Sequence, residues 1–383
     1  MAAAGSTSIK VLHVLRAPVG GLFRHVVDLA RGQSARGHQV GIIADATTGG
    51  SQAEAVLADL SSRLALGVTR LPMSRQIGPR DASAIAQVAR RAVSVSADVL
   101  HGHGAKGGAY ARLVNSRLAG SRRAIRVYTP HGGSLHYRWD SATGLLYLTL
   151  ERFLIARTDL FLFESGYGRD VFRAQLGNSG AAARIVHNGV TAAEFEPILI
   201  DPGATDLVFV GELRVLKGVD VPIRAIALLE REGRSLSATI VGEGPDRPAF
   251  EAEVLAQGLA SRVQFVGAKP ARAAFGSGRL LVIPSRAESL PYIVLEAAAA
   301  GIALIATKVG GIPEIFGPDS SDLVAPGDPA ALARAIDLGL RDIDAKHATR
   351  ARLQARVRES FSTEAMTEAV LAAYGDALAR RHG

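Results

Sequence analysis

Three carboxylates interrupt one of the most apolar stretches of the chain, ESLPYIVLEAAAAGIALIATKVGGIPE, residues 288–314. Glu288 opens this stretch, Glu296 follows eight residues later, and Glu314 closes it. Burying a carboxylate without partners costs free energy, so the acids indicate either a capped helix with an exposed face or side chains that face a ligand. Facing a ligand, Glu288 could accept hydrogen bonds from hydroxyl groups and Glu296 from a second hydroxyl pair, such as that of a ribose. For Glu314, helix capping and ligand contact are equally good interpretations.

The flanking residues predict how these acids are positioned. LLVIPS reads as a buried strand and RAES as its exit loop. Ser289 is the predicted N-cap of the next helix, and Pro291 lies in its first turn, where a missing N–H group costs nothing. The free N–H groups of residues 289–292 and the helix dipole would then suit a phosphate or a developing anion.

Alternation of strands and helices predicts an α/β protein. The chain has 383 residues, enough for two domains. Buried strands are predicted at Ile9–Leu15, Gln39–Asp45 and four later segments of the first half. The cycle restarts at Asp206–Leu213, and SDLVAPGD, residues 321–328, is its last predicted strand. Strands that alternate with helices form parallel sheets covered on both faces. We therefore predict two Rossmann-like doubly wound domains that face each other across a cleft, joined by the polar segment Asn188–Thr205.

Glycine and polar residues gather where the predicted strands end. Ligands of doubly wound sheets bind at the carboxyl ends of the strands, and six such loops, divided between the two halves, predict an interdomain site. The loops are Gly20–Gly21, His101–Gly104, His131–Gly133, Glu212–Lys217, Gly242–Pro245 and Glu288–Pro291.

Composition narrows the classes of partner and chemistry. The chain has no cysteine, which excludes disulfides, thiolate metal sites and a cysteine nucleophile. The net charge of +8 is uneven, because residues 1–190 carry 23 Lys and Arg against 11 Asp and Glu. A basic half is typical of an anionic partner such as a membrane surface, a diphosphate or a nucleic acid, or is simply a solvated face. No basic strand with interleaved aromatic residues is present, so we predict no nucleic-acid binding.

Taken in order, the motifs resemble those of retaining GT-B glycosyltransferases of family 4, also called group 1. The resemblance rests on Glu288 and Glu296 (E-x7-E) with GIALIATKVGGIPEI after them, and on VGG, TPHGG, VHNGV, GELRVLKG and VGEGP before them. It spans nearly the whole chain. It implies residues 1–190 as an acceptor-binding domain, residues 191–363 as a nucleotide-sugar domain, and a C-terminal helix, residues 364–383, that crosses back to the first.

The resemblance also assigns roles to residues. Its implied catalytic residues are Glu288 near the reacting sugar carbon, His131 on the donor sugar and Lys217 on the leaving diphosphate. Fixed cations and amides stabilise the negative charge that develops on such a leaving group. The donor-binding residues implied are Gly20, Gly21, Arg214, Lys217, Gly244, Ser289, Leu290, Pro291 and Glu296.

One position departs from the family pattern. The family usually has Arg directly after the glycine of the diphosphate loop, and this chain has Glu212 there. A carboxylate does not favour a diphosphate, so either Arg214 substitutes, or Lys217 acts with less help, or the donor is held differently.

Neither a metal nor another cofactor is predicted. His101 and His103 could suggest a metal pair, but we expect the two imidazoles on opposite faces of their strand and predict a polar lining role instead. The DID sequence of Asp342–Asp344 matches the D-x-D of metal-dependent transferases, yet it lies in a charged helical segment with no strand before it. Candidate acceptor-binding residues are His103, Lys106 and His25. The competing interpretation is a solvated charge for Lys106 and a packed surface histidine, the more common case, for His25.

The resulting functional prediction is a metal-independent, retaining hexosyltransferase. Its acceptor would be a saccharide or lipid-linked saccharide of cell-surface polysaccharide or lipopolysaccharide biosynthesis. The alternatives are a GT-B-like nucleotide-sugar 2-epimerase and a non-catalytic nucleotide-sugar binder. No signal peptide or spanning segment is evident, which predicts a cytoplasmic protein, peripheral on an anionic inner membrane face. Tyr137, Trp139 and the LLYLTL segment could pack in the core or contact lipid or sugar.

Overall fold

The computed structural model describes residues 8–114, 123–132, 137, 139–341 and 347–382. The chain forms two compact units, Met1–Asn188 with Thr363–Gly383, and Gly189–Ser362. The Asp342–Asp344 sequence lies outside the described residues. No helix of the described ranges is both long enough and apolar enough to cross a membrane.

The first unit is built on a parallel sheet with the strand order β3-β2-β1-β4-β5-β6-β7. Its strands are β1 (Lys10–Leu15), β2 (Gln39–Asp45), β3 (Val68–Leu71), β4 (Val99–His103), β5 (Ile125–Thr129), β6 (Leu160–Phe163) and β7 (Ala182–Ile185). Its connecting helices are α1 (Gly20–Ala35), α2 (Gly50–Arg63), α3 (Arg80–Ser94), α4 (Gly104–Leu113), α5 (Ala142–Ile155) and α6 (Gly166–Leu176). The strand order reverses between β1 and β4, which makes that boundary the topological switch point of the sheet.

Both faces of the first sheet are covered. Along β1, Val11 packs in one apolar cluster with Leu29, while Leu12 and Val14 pack in another with residues of α3 and α4. Successive strand residues point to opposite faces, so a strand buried on both faces needs a continuous apolar run. This requirement explains why the runs at Ile9–Leu15 and Gln39–Asp45 were recognisable from the sequence.

The second unit repeats the arrangement with the strand order β10-β9-β8-β11-β12, also parallel. Its strands are β8 (Thr205–Val210), β9 (Ala238–Val241), β10 (Val263–Phe265), β11 (Gly278–Ile283) and β12 (Leu304–Ala306). Its helices are α7 (Asp220–Arg231), α8 (Arg247–Ala256), α9 (Ala271–Phe275), α10 (Tyr292–Ala299), α11 (Ile312–Phe316), α12 (Pro329–Arg341) and α13 (His347–Ser360), with 3₁₀ turns at Ala192–Phe195, Val215–Lys217 and Gly317–Asp322. The switch point here lies between β8 and β11.

The last helix, α14 (Thr363–His382), belongs to the first unit. Met366, Val370 and Tyr374 pack in the same apolar cluster as Val11 and Leu29. The predicted class, two Rossmann-like doubly wound sheets with a C-terminal helix returning to the first, is confirmed.

The sequence analysis missed one strand and predicted another that does not form. Val68–Leu71 forms the edge strand β3, although only Leu71 of its four residues is buried, which is why it lacks an apolar signature. SDLVAPGD was predicted as a strand, but its pairing is a single bridge between Thr307 and Val324. A 3₁₀ turn, Gly317–Asp322, occupies the residues before that bridge.

Candidate functional site

The central feature of the second unit is a contact between Lys217 and Glu288. Lys217 ends the 3₁₀ turn that follows β8, and Glu288 lies in the loop between β11 and α10. The Lys217 Nζ atom is 2.6 Å from Glu288 Oε1, and the Ser285 hydroxyl donates to the same oxygen at 2.7 Å. Because β8 and β11 flank the switch point, this pair lies where doubly wound sheets bind ligands.

Backbone packing brings the two loops together. Gly218, directly after Lys217, has a φ of +69°, and a Cβ atom there would lie 2.1 Å from the carbonyl oxygen of Pro284. Only glycine allows this conformation and this approach. A side chain at this position would push the Lys217 turn away from the loop that carries Glu288.

A second ion pair fixes the same two loops. Arg286 donates from Nη1 and Nη2 to the two carboxylate oxygens of Asp220, both at 2.7 Å, and from Nη1 to the Val215 carbonyl at 2.7 Å. Burial alone would raise the pKa of Asp220, but the bonds from Arg286 lower it. Bidentate Arg–carboxylate pairs constrain geometry as well as charge. Sequence reasoning missed both Asp220 and Arg286, which are 66 positions apart in the chain.

Helix α10 begins later than predicted. Its first residue is Tyr292 and its N-cap position is Pro291, with no side-chain capping bond, so the prediction of Ser289 as N-cap was wrong. The residue before a proline avoids the helical conformation, which excludes Leu290 from the helix. Ser289, Leu290 and Pro291 therefore lie in the loop with Glu288, and Glu296 lies half-buried in α10.

The other donor residues predicted from the sequence are Arg214, Gly244, Gly20 and Gly21. Arg214 is half-exposed and its Nε atom lies 2.9 Å from Glu212 Oε1, so the acid that departs from the family pattern is the partner of this arginine. Gly244 lies in the loop after β9, where a Cβ atom would be 2.3 Å from the Leu213 carbonyl oxygen. In the first unit, Gly20 and Gly21 begin α1 and are exposed.

Histidines occupy the switch point of the first unit. His103 ends β4 and His131 follows β5, and their facing ring nitrogens, Nδ1 and Nε2 respectively, are 3.0 Å apart. His131 Nδ1 is 2.7 Å from Glu164 Oε1. His131 also has a φ of +52°, a conformation that non-glycine residues rarely adopt and that is often found at functional sites. Glu164, at the end of β6, was not identified from the sequence.

The predicted orientation of His101 and His103 was wrong. Their ring centroids are 3.9 Å apart and both side chains are buried. Residues i and i+2 of a strand point to the same face, so the two imidazoles must lie side by side. His101 is held by Tyr374 of α14 and by Thr129, at 2.7 and 2.8 Å.

All three predicted acceptor residues have internal partners, and those of His103 are His13 and His131. Lys106, in the first turn of α4, donates from Nζ to Asp81 at 2.7 Å and to the Gln76 carbonyl at 2.9 Å. His25, on α1, is buried and its Nδ1 atom lies 2.9 Å from Asn188 Oδ1. The third, His103, lines a cavity of about 560 Å³ in the first unit together with His131, Lys106 and Asp81. This cavity can hold a ligand of small-molecule size.

Comparison with known families gives two matches that together span most of the chain. A family described as glycosyl transferases group 1 matches residues 204–342, and one described as Glycosyltransferase Family 4 matches residues 19–194. D-inositol 3-phosphate glycosyltransferase from Nocardia farcinica is 32% identical over 228 residues, covering 57% of this chain and 50% of that protein. The chain spans about half the length of the curated relatives it matches first.

Solved structures match over nearly the whole length. Sucrose-phosphate synthase from Thermosynechococcus elongatus superposes with a TM-score of 0.79 at 20% identity, covering 97% of this chain and all of that one. Anabaena HepE in complex with UDP gives a TM-score of 0.78 at 18% identity, covering 96% and 100%. At these identities the likeness establishes the fold, which is GT-B.

Proposed function

We propose that this chain, a member of the group 1 (family 4) glycosyltransferases, transfers a sugar from a nucleotide-sugar donor to a saccharide or lipid-linked acceptor, with retention of configuration. The observation that carries the proposal is the contact between Lys217 and Glu288 at the switch point of the second sheet. Because HepE has been solved with UDP bound, a nucleoside diphosphate is the donor chemistry that this fold favours.

Donor binding would exchange the partner of Lys217. The ammonium group now lies against Glu288, which is nearly buried and accepts from Ser285 as well. A diphosphate carries more negative charge than a carboxylate, so it would replace Glu288 as the partner of Lys217. Glu288 Oε1 could then accept a hydrogen bond from a sugar hydroxyl. The cation would then stabilise the leaving diphosphate, while the carboxylate stabilises the positive charge that develops on the sugar ring.

Retention would follow if the acceptor attacks from the face of the leaving group. In that geometry the leaving phosphate takes the proton of the acceptor hydroxyl as the new glycosidic bond forms. Arg214, Gly244, Ser289, Leu290, Pro291 and Glu296 remain the proposed donor contacts of the second unit, with Glu296 on the ribose. No metal enters this mechanism, because Lys217 supplies the positive charge.

The first unit would supply the acceptor contacts, with Gly20, Gly21 and His131 proposed on the donor. Both ring nitrogens of His131 already have partners, so a sugar hydroxyl would have to displace one of them. Lys106 would act within its pair with Asp81 rather than as an isolated charge. The cavity lined by His103 and Lys106 is the proposed place for the acceptor.

A peripheral membrane contact is the proposed source of a lipid-linked acceptor. Helix α5 exposes Leu145, Leu146, Leu150 and Phe153, which fall on one side of the helix at 100° per residue. Arg157 stacks on the Phe153 ring at 3.8 Å. An apolar helix face in a basic half of the chain is typical of a helix that lies in the interface of an anionic membrane.

The deciding experiment is a thermal-shift screen with UDP-, GDP- and ADP-sugars, followed by transfer assays with the donor that stabilises the protein. A specific donor at a hundredfold excess over its Kd stabilises by about 2.7 kcal/mol. Incubation with the donor alone separates transfer from isomerisation, because an epimerised nucleotide sugar would support the 2-epimerase. Absence of any stabilising donor would contradict the proposal.

A further inference from the structure

Among the described residues of the first unit, five histidines form one cluster, and glycosyl transfer explains only part of it. The cluster comprises His13 on β1, His25 on α1, His101 and His103 on β4, and His131 after β5. All but His131 are essentially inaccessible to solvent. Imidazole is the side chain that transition metals bind most often in proteins. Three of these rings could therefore share an ion if their spacing allows it.

His25, His103 and His131 have the spacing of a three-histidine metal site. One ring nitrogen from each lies within 4.8 Å of the other two. The ring centroids are 4.8 Å apart for His25 and His131, 5.3 Å for His103 and His131, and 5.5 Å for His25 and His103. A tetrahedral ion with Zn–N bonds of about 2.05 Å would place ring centroids roughly 5.2 Å apart.

The second nitrogen of each ring is already held. His25 Nδ1 lies 2.9 Å from Asn188 Oδ1, and His131 Nδ1 lies 2.7 Å from Glu164 Oε1. His103 Nε2 lies 3.0 Å from His13 Nδ1, and His13 Nε2 lies 2.9 Å from Gln33 Oε1. Histidines that bind metals almost always donate their other N–H to such a partner, which fixes the tautomer and the ring.

The remaining ring nitrogens are His25 Nε2, His103 Nδ1 and His131 Nε2. His25 Nε2 is buried and has no hydrogen-bond partner among the described residues. An unpaired buried polar atom costs free energy, and in a native structure it calls for a ligand or an ion. The other two nitrogens, His103 Nδ1 and His131 Nε2, are 3.0 Å apart, close to the roughly 3.3 Å that two ligands of a tetrahedral zinc require.

We propose that His25 Nε2, His103 Nδ1 and His131 Nε2 bind a divalent transition-metal ion of the Zn²⁺ type. Asn188, His13 and Glu164 hold the three rings from behind. His103 and His131 also line the cavity of the first unit, from which a water molecule or an anionic ligand supplies the fourth position. The ion would hold together α1, the end of β4 and the residue that follows β5. Because it would occupy His131 Nε2, a direct contact of that nitrogen with a donor sugar would require release of the ion.

A second triad, His13, His101 and His103, is also close enough to share an ion. Both nitrogens of His13 are bonded, to His103 and Gln33, and both nitrogens of His101 are bonded, to Tyr374 and Thr129. An ion at either triad would replace a contact between two histidines, which is His103–His131 at the proposed site, but only the proposed site would satisfy an orphaned atom, His25 Nε2. This triad therefore serves as the internal control for the site.

The test is zinc binding by the full chain, purified without a polyhistidine tag and stripped with EDTA. We expect one Zn²⁺ per chain in equilibrium dialysis, and the visible absorption of a tetrahedral ion when Co²⁺ is used. His25→Phe keeps a ring but no nitrogen, and His131→Ala removes a second ligand. Each should weaken binding roughly 100-fold or more, while Asn188→Ala weakens it about 10-fold.

His101→Gln is the matched control and should leave zinc affinity unchanged. Circular dichroism and the fluorescence of Trp139, the single tryptophan of the chain, verify that each variant is folded. A stripped protein that takes up no zinc overturns the proposal, as does equal binding by the folded His25→Phe and His131→Ala variants. Loss of binding in folded His101→Gln with retention in His25→Phe would place the ion on the other triad, which also overturns it. None of these outcomes depends on sugar transfer.

Discussion

Lys217 Nζ and Glu288 Oε1 lie 2.6 Å apart although the two residues are 71 positions apart in the chain. The contact joins the loops that follow β8 and β11, the two strands at the switch point of the second sheet. In the proposed mechanism the cation binds the diphosphate and the carboxylate binds the sugar hydroxyls of one donor. The contact would then hold both side chains near the places where each acts.

The first prediction concerns these two side chains. Lys217→Ala and Glu288→Gln should each lower kcat by about 10²–10³-fold, the usual effect of removing one group that stabilises transition-state charge. Lys217→Ala should also weaken UDP binding, because it removes the cation for the diphosphate. Steady-state kinetics and calorimetric titration with UDP measure the two effects. Arg341→Ala, which removes an exposed ion pair with Asp337, is the control and should leave both unchanged.

The second prediction concerns Gly218. Gly218→Ala places a Cβ atom 2.1 Å from the Pro284 carbonyl oxygen at a φ of +69°, so the Lys217 turn must move. Gly233→Ala has a similar φ of +77° but open space around it. Both should lose about 1–2 kcal/mol of stability from the left-handed conformation alone, and only Gly218→Ala should also weaken UDP binding. Equal UDP affinity in the two variants would show that the close approach does not position Lys217.

Sequence reasoning located much of the fold because buried strands have a simple signature. The apolar runs at Ile9–Leu15 and Gln39–Asp45 must be continuous, since both faces of the sheet are covered. Glu288 and Glu296 stood out for the opposite reason, as acids in an apolar segment. Val68–Leu71 was missed because an edge strand with little burial has no such pattern.

Residues defined by distant partners were not predictable in the same way. Glu164 meets His131 across 33 positions and Asp81 meets Lys106 across 25, and neither acid lies in a distinctive motif. Their roles come from the order in which β1, β4, β5 and β6 lie in the sheet, which brings strand ends together. Glu314, the last acid of the segment 288–314, lies in the first turn of α11, where its negative charge interacts favourably with the helix dipole.

The third prediction concerns a buried ion pair beneath the cavity. Arg112 Nη2 lies 2.9 Å from Glu151 Oε2, both side chains are almost inaccessible, and Tyr128 donates to Glu151 Oε1 at 2.9 Å. Arg112→Met should cost about 3–5 kcal/mol, because it removes the guanidinium that is buried against the Glu151 carboxylate. Arg112→Met combined with Glu151→Leu should cost less than Arg112→Met alone. Urea unfolding followed by Trp139 fluorescence measures these differences in the first unit.

A double variant less stable than Arg112→Met would contradict this account, since it would mean that the carboxylate is satisfied without the arginine.

The fourth prediction is that acid destabilises the first unit well above the range in which carboxylates titrate. Burial lowers the pKa of His13 to about 4 and that of His25 to about 3, and it also lowers the pKa of His101 and His103. Unfolded histidines have a pKa near 6.5, so between pH 6.5 and 4 the unfolded chain binds protons that the folded chain excludes. The free energy of unfolding therefore has its full value above pH 6.5. It falls as the pH decreases, by about 1.4 kcal/mol per pH unit for each such histidine.

Urea titrations of EDTA-treated protein at several pH values, followed by the fluorescence of Trp139, should show this decrease. His101→Gln should make the slope smaller by the contribution of one histidine. Glu164, with its pKa lowered to about 2, adds to the loss only below pH 4.5, so a stability that stays flat from pH 6.5 to 4.5 would mean that these imidazoles are protonated in the folded protein.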